Sequence, residues 1–302
     1  MGNTLQRVVF FAHVAIDEPV SLRQTPRATD SELDPELKTT MSSISNETKF
    51  RVRGGRPLSG TVSPQGNKNE ALPALAAACL ASGPVTLENV PVIEDVRAMQ
   101  QILAELGVRV EPATGDAVRL AVDNGLKTDL PVALSAKLRG SVTLAGPLLA
   151  RCGRVFLPRP GGDRIGRRRL DTHFLAFQAL GATVEDTRDG YLITAKKLTG
   201  ADIMLDEASV TATENAICAA VLAEGETTLR NAASEPHVQG LCRMLNGLGA
   251  HVEGIGTNQL RIRGAKQLNG GTHRIGPDFQ EIGSFIALAA VTGGALRIKD
   301  AG

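Results

Sequence analysis

Two stretches of sequence decide the fold: residues 74–89 read ALAAACLASGPVTLEN, and residues 216–231 read AICAAVLAEGETTLRN. Each stretch joins a run of small apolar residues to a glycine and then to a short segment rich in β-branched residues. A Leu-Gly pair follows each one, at Leu106-Gly107 and Leu248-Gly249, so that the two sets share one constant offset of 142 residues. An offset kept over so long a span indicates an internal repeat.

A third Leu-Gly pair at Leu180-Gly181 falls between the first two, which gives a repeating unit of about 71 residues. Residues 289–301, AAVTGGALRIKDA, match the beginning of a fourth unit. Each unit reads as an apolar helix, a strand, an amphipathic helix and a further strand, so the sequence predicts an α/β fold. The first helix is apolar nearly all round and should be buried, while the second should bury one face. Gly107, Gly181 and Gly249 are predicted to be left-handed helix caps.

The composition narrows the class of protein. The chain has 33 basic and 32 acidic residues, a balance that gives no support for a nucleic-acid or membrane partner. The four cysteines, Cys79, Cys152, Cys218 and Cys242, are widely separated, which disfavours a zinc site or a disulfide framework and favours a reducing cytoplasm. Cys79 and Cys218 lie in alanine-rich runs and should be core residues. Residues 25–49 are polar without periodicity, and we expect residues 1–49 to form a disordered leader.

Three segments depart from the repeat and are candidates for chemistry. In SPQGNKNEAL, residues 63–72, Lys68 and Asn69 stand directly before the first buried helix, where an anion could bind, although a plain solvated turn explains them equally well. In LRGSVTLAGP, residues 138–147, Arg139 precedes a run that resembles a strand. A surface arginine is the simpler explanation for any single residue of this kind.

The third segment, residues 156–173, reads FLPRPGGDRIGRRRLDTH and combines a glycine-rich loop with many charges. Its five arginines are Arg159, Arg164, Arg167, Arg168 and Arg169, and its acids are Asp163 and Asp171. Arginines bind phosphate and carboxylate groups in a bidentate way, so this loop predicts a multiply anionic ligand. A solvated charged loop or a contact to a nucleic-acid backbone are the alternatives.

These segments, in this order and on this repeat, resemble the UDP-N-acetylglucosamine enolpyruvyl transferases over residues 50–300. The motifs that carry the resemblance are GNKNEALP at 66–73, LRGSVTLAGPLLAR at 138–151, PGGDRIG at 160–166, SVTATENA at 209–216, NAASEP at 231–236 and PDFQEIGSF at 277–285. The resemblance implies an inside-out α/β barrel with two similar domains of three repeats each and an active site between them. Residues 68–276 would form one complete three-repeat domain, and residues 50–67 and 277–302 would belong to a partial second domain.

The resemblance also implies an activity, namely transfer of the enolpyruvyl group of phosphoenolpyruvate to the 3′-hydroxyl of UDP-N-acetylglucosamine at the first committed step of peptidoglycan synthesis. This chemistry needs an acid, a base and cations, but no metal and no cofactor, and no obligate protein partner. By the resemblance, Lys68 and Asn69 would contact phosphoenolpyruvate. The residues implied to hold the UDP-sugar are Arg139, Arg168, Arg169, Leu170, Asp171 and Thr172.

The resemblance makes Asp163 the catalytic acid, at a position where most family members have a cysteine. Fosfomycin alkylates that cysteine, and a carboxylate is a much poorer nucleophile than a thiolate, so we expect insensitivity to fosfomycin. Three other departures concern the sugar site: Glu207 replaces a common basic residue, and Arg169 and Thr172 replace a proline and a leucine.

The family's general base and further phosphate-binding arginines would lie beyond residue 302. The chain as given is therefore expected to be C-terminally truncated, to bind its substrates poorly and to be inactive. A non-catalytic remnant or an incomplete gene model is the alternative of another class. The sister transferase that acts on 3-phosphoshikimate is the enzymatic alternative. That transferase usually has Lys-Ser where this chain has Lys68-Asn69.

Overall fold

The computed structural model describes residues 56–161 and 169–301. The chain forms two compact units, of which the larger runs from Gln65 to Asp278. The smaller unit contains the described residues up to Pro64 and those from Phe279 onward.

Helices and strands both occur along the whole described chain, as the repeat predicts. The helices are α1 Lys68–Ala77, α2 Glu94–Leu106, α3 Val132–Ser135, α4 Ala145–Cys152, α5 Asp171–Ala179, α6 Val210–Ala220, α7 Pro236–Gly247 and α8 Phe279–Thr292, with 3₁₀ turns at Ala78–Leu80 and Arg139–Leu144. The strands are β1 Ser59–Val62, β2 Val85–Glu88, β3 Val108–Pro112, β4 Val118–Val122, β5 Arg154–Pro158, β6 Thr183–Asp186, β7 Gly190–Thr194, β8 Asp202–Met204, β9 Glu226–Arg230, β10 His251–Glu253, β11 Gln259–Arg263, β12 Gly271–Arg274 and β13 Ala295–Ile298.

Three repeats are present in the larger unit, each with a buried helix, a strand, a second helix that buries one face and a hairpin. The buried helices are α1, α4 and α6, and each is followed by the first strand of its repeat, β2, β5 or β9. The sheets have the orders β12-β2-β4-β3, β5-β7-β6 and β10-β11-β9-β8. The architecture is therefore α/β, as predicted.

Strands exchanged between the three repeats of the larger unit link these repeats in a cycle. After the first hairpin, Asp129 forms a parallel bridge to Phe156 in the second sheet. After the second hairpin, β8 pairs in parallel with β9 of the third sheet. After the third hairpin, β12 returns to pair in parallel with β2 of the first sheet. Each repeat thus completes the sheet of the next one, and the last completes the first.

The core lies around the three buried helices. Every residue of α1 from Glu70 to Ala77 is buried, and so is every residue of α6 from Ala212 to Ala220. The predicted apolar face of α2 is buried as well. Cys79 and Cys218 lie in this core, which confirms that prediction.

The predicted left-handed glycines are confirmed. Gly107, Gly181 and Gly249 have φ angles of 99°, 96° and 100°. A residue with a Cβ is disfavoured in this conformation, so the glycine after each leucine lets the chain turn from the amphipathic helix into the hairpin.

The strand expected after Arg139 is wrong. Arg139–Leu144 is a 3₁₀ turn that leads directly into α4, and the Thr143 hydroxyl donates a hydrogen bond to the Gly140 carbonyl at 2.8 Å. A short apolar run that is buried on all sides has no period that separates strand from helix. Here the run from Ser141 to Leu144 is fully covered by neighbouring elements.

The smaller unit consists of α8 and the parallel pair of β1 with β13, which includes the start of the predicted fourth repeat. Within α8, only Ala289 and Thr292 are buried. Ile286 and Val291 are 37% and 46% exposed. Within the described part of the chain, no helix combines the length and the apolar character needed to cross a membrane.

Candidate active site

The first turn of α1 carries Lys68 and Asn69. Asn67 caps this helix, because its buried side-chain oxygen accepts hydrogen bonds from the main-chain N–H groups of Asn69 at 2.8 Å and Glu70 at 3.2 Å. Both predicted residues therefore lie in the helix rather than in the preceding turn. The N-terminal end of a helix carries a partial positive charge, which suits an anion.

Lys68 is already paired with a carboxylate. Its Nζ atom lies 3.0 Å from Oδ2 of Asp95, in the first turn of α2, and both side chains are a little over two-fifths exposed. An ion pair of this exposure is weak and can be exchanged for a ligand.

Arg139 begins the 3₁₀ turn that packs against α1. The next residue, Gly140, lies so close to Leu72 of α1 that a Cβ would come within 2.8 Å of its Cδ1 atom. Arg139 is half-buried, and its charge contributes to lowering the pKa of His173. The structure thus brings Arg139 close to the start of α5.

The start of α5 holds four of the predicted sugar-binding residues. Nε of Arg169 donates to Oδ2 of Asp171 at 2.5 Å, and the Thr172 hydroxyl donates to Oδ1 of Asp206 at 2.6 Å. The Asp171 carboxylate raises the pKa of Arg169, and the charges of Asp206 and Glu207 add to this effect. Two of the substituted positions, Arg169 and Glu207, therefore interact electrostatically. The side chain of Leu170 is buried, so only its main chain is available to a ligand.

His173 belongs to this cluster and was missed by the sequence analysis. Its side chain is 3% exposed, and its Nε2 atom lies 3.0 Å from the Thr211 hydroxyl in the first turn of α6. Burial, with a smaller contribution from Arg139, lowers the pKa of His173 to about 4. A single histidine after a charged loop carries no signal of such a contact, because Thr211 is 38 residues away in sequence.

Arg159, one of the five arginines of the charged loop, contacts other groups of the protein in the described structure. Its guanidinium donates to the Tyr191 hydroxyl at 2.9 Å, to Asp186 at 2.7 Å and to the Thr187 carbonyl at 2.9 Å, and it stacks on the Tyr191 ring at 5.0 Å. With its hydrogen bonds directed into the protein, Arg159 fixes the end of β5 to the β6–β7 hairpin. The other predicted loop residues, Asp163, Arg164, Arg167 and Arg168, lie outside the described residues.

Comparisons with known proteins show the family of this chain. A sequence model of the family described as EPSP synthase (3-phosphoshikimate 1-carboxyvinyltransferase) matches residues 52–302. Curated relatives include the UDP-N-acetylglucosamine 1-carboxyvinyltransferases of Treponema denticola, 56% identical over 252 residues, and of Bradyrhizobium diazoefficiens, 54% identical over 254 residues. These alignments cover 83% and 84% of this chain, but the chain spans only 59% of the length of either relative.

Two solved structures share the fold. The enolpyruvyl transferase NikO from Streptomyces tendae aligns with a TM-score of 0.66 and 26% identity, over 76% of this chain and 55% of NikO. The EPSP synthase of Acinetobacter baumannii aligns with a TM-score of 0.62 and 22% identity, over 76% of this chain and 52% of its own, and at that identity it supports the fold alone. The family match covers most of the sequence, and so this chain belongs to the EPSP synthase family of enolpyruvyl transferases.

Proposed function

We propose that this chain forms part of a cytoplasmic enzyme that transfers the enolpyruvyl group of phosphoenolpyruvate to the 3′-hydroxyl of UDP-N-acetylglucosamine, the first committed step of peptidoglycan synthesis. The observation that carries the proposal is the position of Lys68 in the first turn of α1, on a helix that packs against the turn of Arg139. Two anion-binding groups from separate repeats are thereby held on one framework. The names of relatives that are 46–56% identical support the choice of substrates.

Each substrate has its own set of residues in this proposal. Lys68 and Asn69 hold phosphoenolpyruvate, whose phosphate and carboxylate match the amine and the positive end of α1. The groups that hold the UDP-sugar are Arg139, Arg168, Arg169, the Leu170 main chain, Asp171 and Thr172. Clamping these anions with fixed cations lowers the cost of the negative charge that develops during the reaction.

The reaction is an addition followed by an elimination. The sugar oxygen forms a bond to C2 of phosphoenolpyruvate, a base takes its proton, and Asp163 delivers a proton to C3. Phosphate then leaves from C2 while a proton leaves C3, which restores the double bond. An aspartic acid serves this role when its surroundings hold its pKa near the working pH.

We also infer a two-domain architecture for the complete protein. Residues 68–276 form one three-repeat domain of an inside-out α/β barrel, and residues 50–67 with 277–302 contribute to a second domain of the same kind. The cyclic exchange of strands among three repeats supports this division.

Calorimetry on this chain extended with the remaining repeats of a relative tests the choice of substrate. We expect UDP-N-acetylglucosamine to bind and 3-phosphoshikimate not to bind. Binding of 3-phosphoshikimate alone would assign the chain to the sister reaction, and binding of neither ligand would contradict the proposed sugar site.

The role of Asp163 is tested in a chain extended with the remaining repeats of a relative. Asp163→Asn should abolish turnover, because an amide cannot deliver the proton. Fosfomycin should leave the aspartate enzyme active and unmodified by mass spectrometry, whereas Asp163→Cys should be alkylated. Near-normal turnover by Asp163→Asn, or a fosfomycin adduct on Asp163, would refute the assignment.

A further inference from the structure

A pocket of about 670 Å³ lies where the second and third repeats meet in the larger unit. One wall is formed by the end of α4 and the segment after β7, and the other by the segments that follow α6 and β11. The Glu224 N–H donates to the Leu198 carbonyl at 2.9 Å, which joins the two repeats, and the Ala265 N–H donates to the Val221 carbonyl at 2.8 Å. Main-chain hydrogen bonds thus fix the frame of the pocket.

The pocket is separate from the candidate active site. It lies at the C-terminal ends of α4 and α6, whereas Arg139 lies in the turn that leads into the N-terminal end of α4. The eight residues of α4 span about 12 Å between these two places. A ligand in the pocket would therefore leave the candidate site open, and no residue that lines the pocket has a role in the function proposed above.

The lining is strongly basic. Its charged residues are Arg151, Lys196, Lys197, Lys266 and Glu224. Lys197 forms an exposed ion pair with Glu224. Lys196 and Lys266 form no ion pair or hydrogen bond with a side chain in the described part of the chain. Because like charges held close together repel one another, an anion between them would be stabilised.

Arg151 is held in place by the protein and keeps hydrogen-bonding capacity for a ligand. Its Nη1 group donates to the main-chain carbonyls of Leu80 at 3.1 Å and Ala81 at 3.3 Å. Within the described part of the chain, its Nε and Nη2 groups have no such partner. At the corresponding positions of the first and third repeats, two residues before the glycine that follows the buried helix, stand Ala81 and Ala223. The arginine is thus a feature of the second repeat alone.

The fold does not require the other charges of the pocket. In the repeat, Ser82 corresponds to Glu224, and Gln267 corresponds to Lys197. Where the third repeat meets the first, Nε2 of Gln267 donates to the Ser82 hydroxyl at 2.6 Å. A neutral pair therefore makes the same contact that Lys197 and Glu224 make in the pocket. The excess of positive charge is specific to the meeting of the second and third repeats.

We propose that this pocket binds a phosphorylated sugar that carries two or more negative charges. Lysine and arginine are the side chains that bind phosphate groups. The volume of about 670 Å³ falls within the usual range for small-molecule sites and exceeds the needs of a single phosphate. Among the described residues that line the pocket there is no aromatic ring, so base stacking would contribute nothing, which favours a sugar over a nucleotide.

Alkylation of Cys152 tests this proposal on the 302-residue chain. Cys152 lines the pocket and is the only exposed one of the four cysteines, so its modification by iodoacetamide can be followed by mass spectrometry. We use fructose 1,6-bisphosphate as the probe. At ten times its Kd it should slow the reaction of Cys152 about tenfold, because only the empty fraction reacts. Fructose, which lacks phosphate, should not slow it, and the buried cysteines should stay unmodified in the folded protein.

Variants show where the probe binds. The double variant Lys196→Gln/Lys266→Gln should lose the protection of Cys152, because both unpaired cations are removed. Lys127→Gln, the matched control, removes an exposed lysine of the first repeat outside the pocket and should keep it. Lys68→Gln, in the candidate active site, should keep it too. Absence of protection in the wild type, equal protection by fructose, undiminished protection in the double variant, or its loss in either single variant would overturn the proposal.

Discussion

Lys68 and Arg169, two cations of the candidate site, both lie beside carboxylates in the described structure. Lys68 contacts Asp95, and Arg169 contacts Asp171. A phosphate or carboxylate of a ligand must therefore compete with the aspartate that is already paired with each cation. The acids hold the long side chains in place between ligands, but they reduce the net attraction for an anion.

Removal of one competing acid should tighten binding. We predict that Asp95→Asn lowers the Kd for phosphoenolpyruvate about threefold, because Lys68 then offers its full charge to the ligand. Isothermal calorimetry at low salt measures the change. Asp123→Asn is the control, since Asp123 pairs with Arg109 on the β3–β4 hairpin. Unchanged or weaker binding by Asp95→Asn would show that Asp95 does not compete.

Glu214 is a buried carboxyl group that, unlike Asp95 and Asp171, is paired with no cation among the described residues. It is 1% exposed on α6, and its Oε1 atom has no hydrogen bond among the described residues. Burial raises its pKa well above the usual range, and the nearby Glu235 adds to the shift. The group is thus protonated in the folded protein and ionised in the unfolded chain over the pH range between the two pKa values.

This difference makes stability depend on pH. With a raised pKa in the folded state, the contribution of Glu214 is fully present below the unfolded pKa and is lost as the pH rises. We predict that Glu214→Gln is more stable than the wild type at pH 8 by about 1 kcal/mol or more, with a smaller difference at pH 4.5. Urea unfolding at both values provides the test. A difference that does not grow with pH would mean that Glu214 is not buried as a neutral acid.

At the scale of secondary-structure elements, α4 and α6 pack closely against each other. The Gly146 N–H in α4 donates to Oδ1 of Asn215 in α6 at 2.6 Å, and the Asn215 amide donates to the Val142 carbonyl at 3.0 Å. A Cβ on Gly146 would lie only 2.4 Å from the main-chain oxygen of Asn215. The second and third repeats therefore meet backbone to backbone at this point, and only glycine fits.

This contact predicts that alanine substitution has different effects on stability at two helical glycines, Gly146 and Gly247. Gly146→Ala should reduce the free energy of unfolding by about 2 kcal/mol or more, because α4 and α6 must move apart. Gly247→Ala at the end of α7 has no atom within 4 Å of the new Cβ, so it should be neutral or stabilising by up to about 1 kcal/mol. Chemical unfolding of both variants compares them directly. Equal effects would contradict the observed packing of α4 on α6.

The larger unit as a whole is closed by a contact between Glu70 and His273 as well as by strands. Oε1 of Glu70, in the first repeat, lies 2.8 Å from Nε2 of His273 in β12, which follows the third repeat. Oε2 of the same carboxylate accepts from the Gly276 N–H at 3.2 Å. A Cβ on Gly240 of α7 would lie 2.3 Å from the Glu70 carboxyl carbon, so the acid fills the space that this glycine leaves. One side chain thus ties the beginning of the unit to its end.

Loss of the contact between Glu70 and His273 should lower the stability of the whole larger unit. We predict that Glu70→Ala reduces the free energy of unfolding by about 2 kcal/mol, because His273 and the Gly276 N–H, both half-buried, lose their hydrogen-bond partner. Glu70→Gln should cost less, since its amide oxygen can still accept one hydrogen bond. Lys197→Ala, which removes an exposed partner of Glu224, is the control and should change stability little. If Glu70→Ala matched this control in urea unfolding, the pair would have no part in closing the cycle.

The sequence by itself determined the repeat, the burial of the first helix in each unit and the left-handed glycines after Leu106, Leu180 and Leu248. These features depend on the period of apolar residues and on the steric limits of one residue, which are local properties of the chain. Lys68, Arg139 and the residues from Arg169 to Thr172 could also be selected, since they interrupt that local pattern and match the motifs of a family.

Only the tertiary structure decided how these parts combine. It set the return of β12 to the first sheet, the pairing of Lys68 with Asp95, the contact of Arg159 with Asp186 and the contact of His173 with Thr211. Each of these joins residues at least 27 positions apart in sequence. Such pairings depend on where packed helices and sheets bring side chains together in space, and no local pattern of the chain contains that information.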